Sequence, residues 1–106
     1  MGRKKQERAA LEPVDSGVSG EIESILEERG KTHGDFLVQA WIAQELKSSA
    51  ENGPNWPMMS ADKREAIHLV LHKISRIVCG DPEFEDHYAD ICGYMQLILN
   101  NIRGKK

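Results

Sequence analysis

The sequence lacks the features of a membrane protein and of a β-structure. No apolar run approaches the ~20 residues of a membrane-spanning helix, and no alternating apolar–polar run is longer than four residues. No apolar stretch follows the first basic residues, as it would in a secretory signal. We therefore expect no membrane partner and no β-sheet.

Cysteine is scarce as well, with two among 106 residues. If Cys79 and Cys92 lie on adjacent antiparallel helices, as predicted below, their levels differ by roughly 16 Å at 1.5 Å per residue, which is too far for a disulfide. Two unpaired thiols and no export signal favour a reducing cytoplasm.

The charge pattern lacks the basic helical stripe of a duplex-binding domain. The net charge is −3, and the basic residues concentrate at the two ends of the chain, in 1–8 and 103–106, around an acidic body. We therefore expect no duplex nucleic acid as a partner. The charged, apolar-poor residues 1–18 are typical of a mobile tail, and 19–106 suffice for one domain with a modest core.

The strongest positive signal is a helical period in the last third of the chain. The apolar stripe of the first segment comprises Ile67, Val70, Leu71, Ile74, Ile77 and Val78, and that of the second comprises Phe84, Tyr88, Ile91, Met95, Ile98 and Ile102. We predict helices over 60–79 and 82–102. Gly80 would end the first in a left-handed conformation, and Asp81 with Pro82 would begin the second. The short connection predicts an antiparallel hairpin.

Two further helices are predicted upstream, over 19–29 and 36–50. Ser19 and Asp35 are suitable N-caps, and Gly30 is a suitable end for the first of these helices. The predicted fold class is all-α, with four helices built around the C-terminal hairpin.

The polar residues of the hairpin form a candidate site. Lys73 and Arg76 lie on its first helix, opposite Asp86 and Asp90 on its second, where Gly93 would let the helices approach. Two cations facing two carboxylates are compatible with a ligand site or with a buried ion-pair lock, and both interpretations stay open.

The loop that precedes the second helix is a weaker candidate. Gly30 and Gly34 bracket Lys31 and His33, and Asp35 follows at a helix start. Such a loop can bind an anion at the helix N-terminus, although it is not a Walker A motif. Ordinary turn chemistry explains the same residues and is the favoured interpretation of this loop.

Three short motifs, in order, resemble the all-α NTP pyrophosphohydrolases of the MazG kind, and more closely a small phage-encoded family often grouped with them. The motifs are ERGKTHGD at 28–35, KISR at 73–76 and DHYADICGY at 86–94. The resemblance covers about residues 21 to 102. It implies a MazG-like bundle, a nucleotide substrate, pairing of subunits and, for a phage protein, the host cytoplasm.

The resemblance also implies Mg²⁺, which carboxylates of the family hold on ExxE and ExxD-type motifs. Asp90 matches the last Asp of the second motif, Asp86 lies one residue before the place of its Glu, and His87 occupies that place. Lys73 and Arg76 stand where the acids of the first motif would be, and two cations cannot hold Mg²⁺. They can instead bind phosphate directly.

Two hypotheses follow. In the first, the protein handles nucleotides or another phosphate-bearing small molecule, as a divergent pyrophosphohydrolase or as a binding protein. The phosphate ligands would be Lys31, His33, Lys73 and Arg76; Asp35, Asp86 and Asp90 would hold any Mg²⁺; and Asp86 and Asp90 would be catalytic. In the second, it is a small non-catalytic interaction protein whose Lys/Arg–Asp cluster is a structural lock. With either function, a short apolar-rich chain with Trp56 and Met59 in a loop predicts a homodimer or larger homo-oligomer.

Overall fold

The computed structural model describes residues 16–104, and every regular element in that part of the chain is helical. The elements are α1 (Ser16–His33), α2 (Phe36–Glu51), a 3₁₀ turn (Trp56–Met58), α3 (Ala61–Cys79) and α4 (Glu85–Ile102). The predicted all-α class with four helices is confirmed. Residues 1–15 of the predicted tail lie outside the described residues, whereas its residues 16–18 belong to α1. The last two residues of the chain, 105–106, also lie outside the described residues.

None of the helices in the described part of the chain is both long enough and apolar enough to cross a bilayer.

The first helix is longer at both ends than predicted. Ser19 lies inside α1 rather than capping it, and Gly30 does not end it. A glycine within a helix costs about 1 kcal/mol but does not break it. The helix ends where the chain turns left-handed, at Gly34 with φ 87°, whose amide donates to the carbonyl of Gly30 at 3.0 Å.

The second helix begins where the cap chemistry predicts. The carboxylate of Asp35 accepts a hydrogen bond from the amide of Leu37 at 3.0 Å, which satisfies one of the unpaired donors of the first turn. The helix ends at Glu51, and Asn52 is its C-cap.

The start of α4 was predicted three residues too early. The carboxylate of Asp81 accepts from the amide of Glu83 at 2.9 Å, and its carbonyl accepts from the amide of Phe84 at 3.1 Å. Asp81 therefore caps a turn, and Phe84 is the N-cap of α4. Gly80 is the C-cap of α3 as expected, but its φ of −115° and ψ of −131° are not left-handed.

Helix α3 is the centre of the fold, because α2 packs on one of its faces and α4 on another. Towards α4, the amide of Asn101 donates to Asp62 at 3.4 Å, and Lys73 reaches Asp90. Along α3 the contact at Asp62 comes before the contact at Lys73, whereas along α4 the partner of Lys73, Asp90, comes before the partner of Asp62, Asn101. The α2 face is joined by a buried hydrogen bond of 2.7 Å from the Gln39 amide to the Ser75 hydroxyl.

The end of α1 contacts the α3–α4 turn backbone to backbone. The amide of Asp81 donates to the carbonyl of Thr32 at 3.2 Å. A Cβ on Gly80 would overlap that same carbonyl, and a Cβ on Gly34 would overlap the carbonyl of Cys79. Only glycines permit this approach. Gly93, which was expected to sit at a close helix contact, is exposed and has no neighbour for a Cβ within 4 Å.

These two environments give a matched pair of substitutions. We expect Gly80→Ala to destabilise the protein by about 1–3 kcal/mol, since the Thr32 carbonyl is backbone and cannot move aside cheaply. Gly93→Ala in α4 should stabilise it by about 1 kcal/mol through helix propensity alone. Urea unfolding followed by circular dichroism measures both. Equal effects of the two substitutions would contradict the close approach at Gly80.

Candidate functional site

The centre of the candidate site is an ion pair between α3 and α4. Lys73 Nζ lies 2.7 Å from Asp90 Oδ2, and the side chains are 14% and 45% exposed. The hydrogen bond from Lys73 lowers the pKa of Asp90, and Coulombic attraction from Lys73, His87 and Arg76 lowers it further. Lys73 was expected opposite Asp86 and Asp90, and of these two carboxylates Asp90 is the one that it contacts.

Arg76 lies one helical turn beyond Lys73 and is only partly paired. Its Nε is buried and has no hydrogen-bond partner. Burial and the charge of Arg29 lower the pKa of Arg76, whereas Asp90 and Tyr94 raise it. A buried N–H without an acceptor is costly, so an oxygen acceptor placed against this donor would relieve that cost.

His33, at the end of α1, joins the same cationic cluster. Its pKa is lowered to about 4, first by burial and then by the charges of Arg76, His87, Arg29 and Lys73. The imidazole is therefore uncharged at neutral pH. Its Nδ1 hydrogen bonds with the Thr32 hydroxyl, which also donates to the carbonyl of Arg29 at 3.2 Å. That hydroxyl has one proton, so we infer that Nδ1 of His33 is the donor.

His87, on α4, is the buried member of the cluster, with 1% of its surface exposed. Its Nε2 donates to the carbonyl of Thr32 at 3.2 Å, and its Nδ1 is buried without a partner. The ring packs edge-on against His33 and Phe84, with centroid separations of 4.8 Å to each. Sequence reasoning gave it no role, although the spacing 84, 87, 91, 94 follows a helical stripe through it.

We call these five side chains the α1–α3–α4 cluster: His33, Lys73, Arg76, His87 and Asp90. Three of the four predicted phosphate ligands belong to it. The fourth, Lys31, has a side chain that is 68% exposed and lies 3.9 Å from Glu28 Oε1, and it is absent from the charges that act on His33.

The predicted metal ligands do not come together. Asp35 caps α2 and raises the pKa of Cys79, Asp86 is exposed in the first turn of α4, and Asp90 is paired with Lys73. Among residues 16–104, no three side chains of His, Cys, Asp or Glu are grouped so as to hold a metal ion. These residues therefore do not fit the carboxylate cage that the family resemblance implies.

A buried polar pair between α2 and α3 was also missed. Gln39 and Ser75 are 3% and 0% exposed, and the Ser75 hydroxyl that accepts from Gln39 donates in turn to the carbonyl of His72. The Ser75 hydroxyl therefore has a partner both as a donor and as an acceptor inside the molecule, so we assign this pair to packing. The free thiols of Cys79 and Cys92 agree with the predicted absence of a disulfide.

Comparison with protein-family models, curated proteins and solved structures finds no match to this chain. The function is therefore argued from the cluster alone.

The ion pair predicts a difference between two neighbouring carboxylates. We expect Asp90→Asn to lower the Tm, because it leaves the largely buried Lys73 without its counter-charge. Asp86→Asn, one turn earlier on the same helix and exposed, should change the Tm much less. Differential scanning calorimetry at pH 7 measures both. A Tm for Asp90→Asn equal to that of the wild type would contradict a structural contribution of the pair.

The depressed pKa of His33 predicts acid sensitivity. His33 binds a proton near pH 6.5 in the unfolded chain but only near pH 4 in the folded chain. The contribution of His33 to the free energy of unfolding is therefore fully present above pH 6.5 and is lost as the pH falls towards 4. His33→Asn should therefore reduce the loss of Tm between pH 7 and pH 5. Part of the loss of Tm at low pH should remain in this variant, because burial also lowers the pKa of His72. An unchanged pH profile in the variant would refute the assignment.

Proposed function

We propose that the protein binds a phosphate-bearing small molecule, of the nucleotide class, at the α1–α3–α4 cluster. The observation that carries the proposal is the buried Nε of Arg76, a charged donor without an acceptor. Guanidinium groups bind phosphate oxygens with charge-assisted, often bidentate hydrogen bonds. Lys73 would contribute less, since Asp90 already takes up its charge.

The electrostatics of the cluster favour an anion over a cation. The pKa values of His33 and Arg76 are both lowered in part by neighbouring positive charges. A bound phosphate would offset that repulsion and raise both pKa values. Binding should therefore favour the protonated form of His33, and the contribution of His33 to affinity should increase as the pH falls towards its unliganded pKa of about 4.

Metal-dependent hydrolysis is not part of the mechanism that we derive. Within residues 16–104 the carboxylates are not grouped for Mg²⁺, so we propose that any Mg²⁺ in the complex would arrive with the triphosphate. The proposal is thus a nucleotide-binding protein. A divergent MazG-like bundle and pyrophosphohydrolase activity, as the sequence resemblance implies, are the further proposal to assay, through release of pyrophosphate.

The test is a thermal-shift titration of the full chain with ATP, inorganic triphosphate and adenosine, with and without Mg²⁺. A ligand at 100 times its Kd stabilises the folded state by about 2.7 kcal/mol, which raises the Tm of a domain of this size by about 10 °C or more. We expect this shift with ATP and with inorganic triphosphate, and none with adenosine.

Two substitutions on α3, one of an arginine and one of a lysine, make the test specific. Arg76→Ala should abolish the shift, whereas Lys63→Ala, which removes the same charge from the first turn of α3, should keep it. No shift in the wild type with any phosphate, or an equal loss in both variants, would contradict phosphate binding at the cluster.

A second candidate is favoured by the 2.7 Å ion pair itself. If the cluster is a structural lock, Lys73 and Asp90 fix the packing of α3 on α4 and the protein is a non-catalytic interaction module. A partly buried pair of this kind adds little net stability, and its structural role would be to fix which residues meet across the two helices. The titration separates the two functions. If the cluster is a lock, Asp90→Asn has a lower Tm than the wild type, and no phosphate compound shifts the Tm of the wild type.

We also propose that the chain functions as a homodimer or larger homo-oligomer. The support is the number of large apolar side chains left exposed within residues 20–104, among them Trp41 at 54%, Met58 at 84% and Leu97 at 63%. The loop residue Trp56, by contrast, is held within the chain: it packs on His68 and lies beneath Arg64.

A further inference from the structure

Among the residues that the structure describes, few cover helix α1. It has 18 residues, about 27 Å of helix, yet every residue in 20–31 is exposed. Its apolar stripe, Ile22, Ile25 and Leu26, is 48%, 58% and 61% exposed. Isolated helices of this length are marginal in water and depend on packing of an apolar face. The stripe of α1 therefore needs a partner surface.

The molecule, with α1 included, is also extended. Its radius of gyration is 17.0 Å, compared with about 13 Å for a compact domain of about 100 residues. The apolar residues fully buried within the described chain are Ala43 and Ala66, which are both small. An apolar core this small favours a second copy, which is always present at equal concentration, as the cover for α1.

We infer that α1 pairs antiparallel with α1 of a second copy, about a two-fold axis at Ile25, and that Ile22, Ile25 and Leu26 form the shared apolar seam. This inference rests on the proposed self-association and specifies its surface. A two-fold axis makes the interface self-complementary, so one stripe supplies both sides.

Charge complementarity supports the antiparallel order. Glu21 precedes Ile25 by four residues and Arg29 follows it by four. Pairing about Ile25 brings Glu21 of each copy level with the partner's Arg29, twice by symmetry, and both residues flank Ile25 on the seam side of the helix. Glu23 and Glu27, which the same pairing also sets level, lie on the opposite side of α1, away from the seam. A parallel pairing would instead set each acidic residue of α1 beside its own copy. Opposed helix dipoles favour the antiparallel arrangement as well.

The first experiment is sedimentation equilibrium of the full chain at micromolar concentrations. We expect the wild type to sediment with twice the mass of one chain, and Leu26→Glu to sediment as a monomer. Met58→Glu is the matched control, because Met58 is a more exposed apolar residue that lies outside α1. It should stay dimeric.

The second experiment tests the register by charge reversal. Glu21→Arg and Arg29→Glu should each weaken dimerisation, by about three- to tenfold in Kd for two exposed pairs. The double variant should return to within about twofold of the wild type. Both residues are exposed, so circular dichroism should show an unchanged helix content in the single variants.

The outcomes separate this inference from the broader proposal. A monomeric wild type overturns both self-association and the α1 seam. A dimer that persists in Leu26→Glu, or that is lost in Met58→Glu as well, overturns the seam while self-association stands. A double charge reversal no better than either single one overturns the antiparallel register.

Discussion

The carbonyl of Thr32 is the point on which the candidate site depends. It belongs to the last turn of α1, where carbonyls have no partner within the helix. Here it accepts two hydrogen bonds, one from the amide of Asp81 in the α3–α4 turn and one from Nε2 of His87 on α4, both at 3.2 Å. One backbone oxygen thus joins three elements. Because Gly34 and Gly80 leave no side chain between the backbones, His33 is brought against His87 and Arg76.

Helix α3 carries a different polar residue on each of its packed faces. Ser75 meets Gln39 of α2, and Lys73 meets Asp90 of α4. A polar group that is satisfied in only one alignment penalises every other alignment, since a slip leaves it buried without a partner. With little large apolar volume fully buried, these contacts supply much of the specificity that a larger core would provide through shape.

Local chemistry predicted the helices well and their ends less well. The stripe through Ile67, Val70 and Ile74 and the Asp35 cap are properties of neighbouring residues, so the sequence alone reveals them. The end of α1 and the start of α4 are decided by a contact between distant segments. Gly30 and Gly34 are both plausible ends, but only Gly34 meets the α3–α4 turn, and that contact is not visible in local sequence.

The site was predicted in part for the same reason. The short connection sets α3 beside α4, which made an approach of Lys73 to Asp86 or to Asp90 predictable. The burial of His87 was not, because a histidine among acidic residues is typical of an exposed position. Asp35, Asp86 and Asp90 were expected to lie together, but they do not. Asp35 is the N-cap of α2. Asp86 is exposed, one position before the buried His87 on the face of α4 that meets α3.

The charge balance of the cluster is its most informative property. A structural lock needs its cations neutralised, and Asp90 neutralises one of them, Lys73. Arg76 keeps a buried donor without an acceptor, and His33 has its pKa lowered first by burial and then by the surrounding positive charges. Replacing such a group by an apolar side chain often costs nothing in stability or increases it. An excess of positive charge around an unused donor is instead what attracts and orients an anionic ligand, and this charge balance is the reason why we propose a phosphate site that contains an ion pair rather than an ion pair alone.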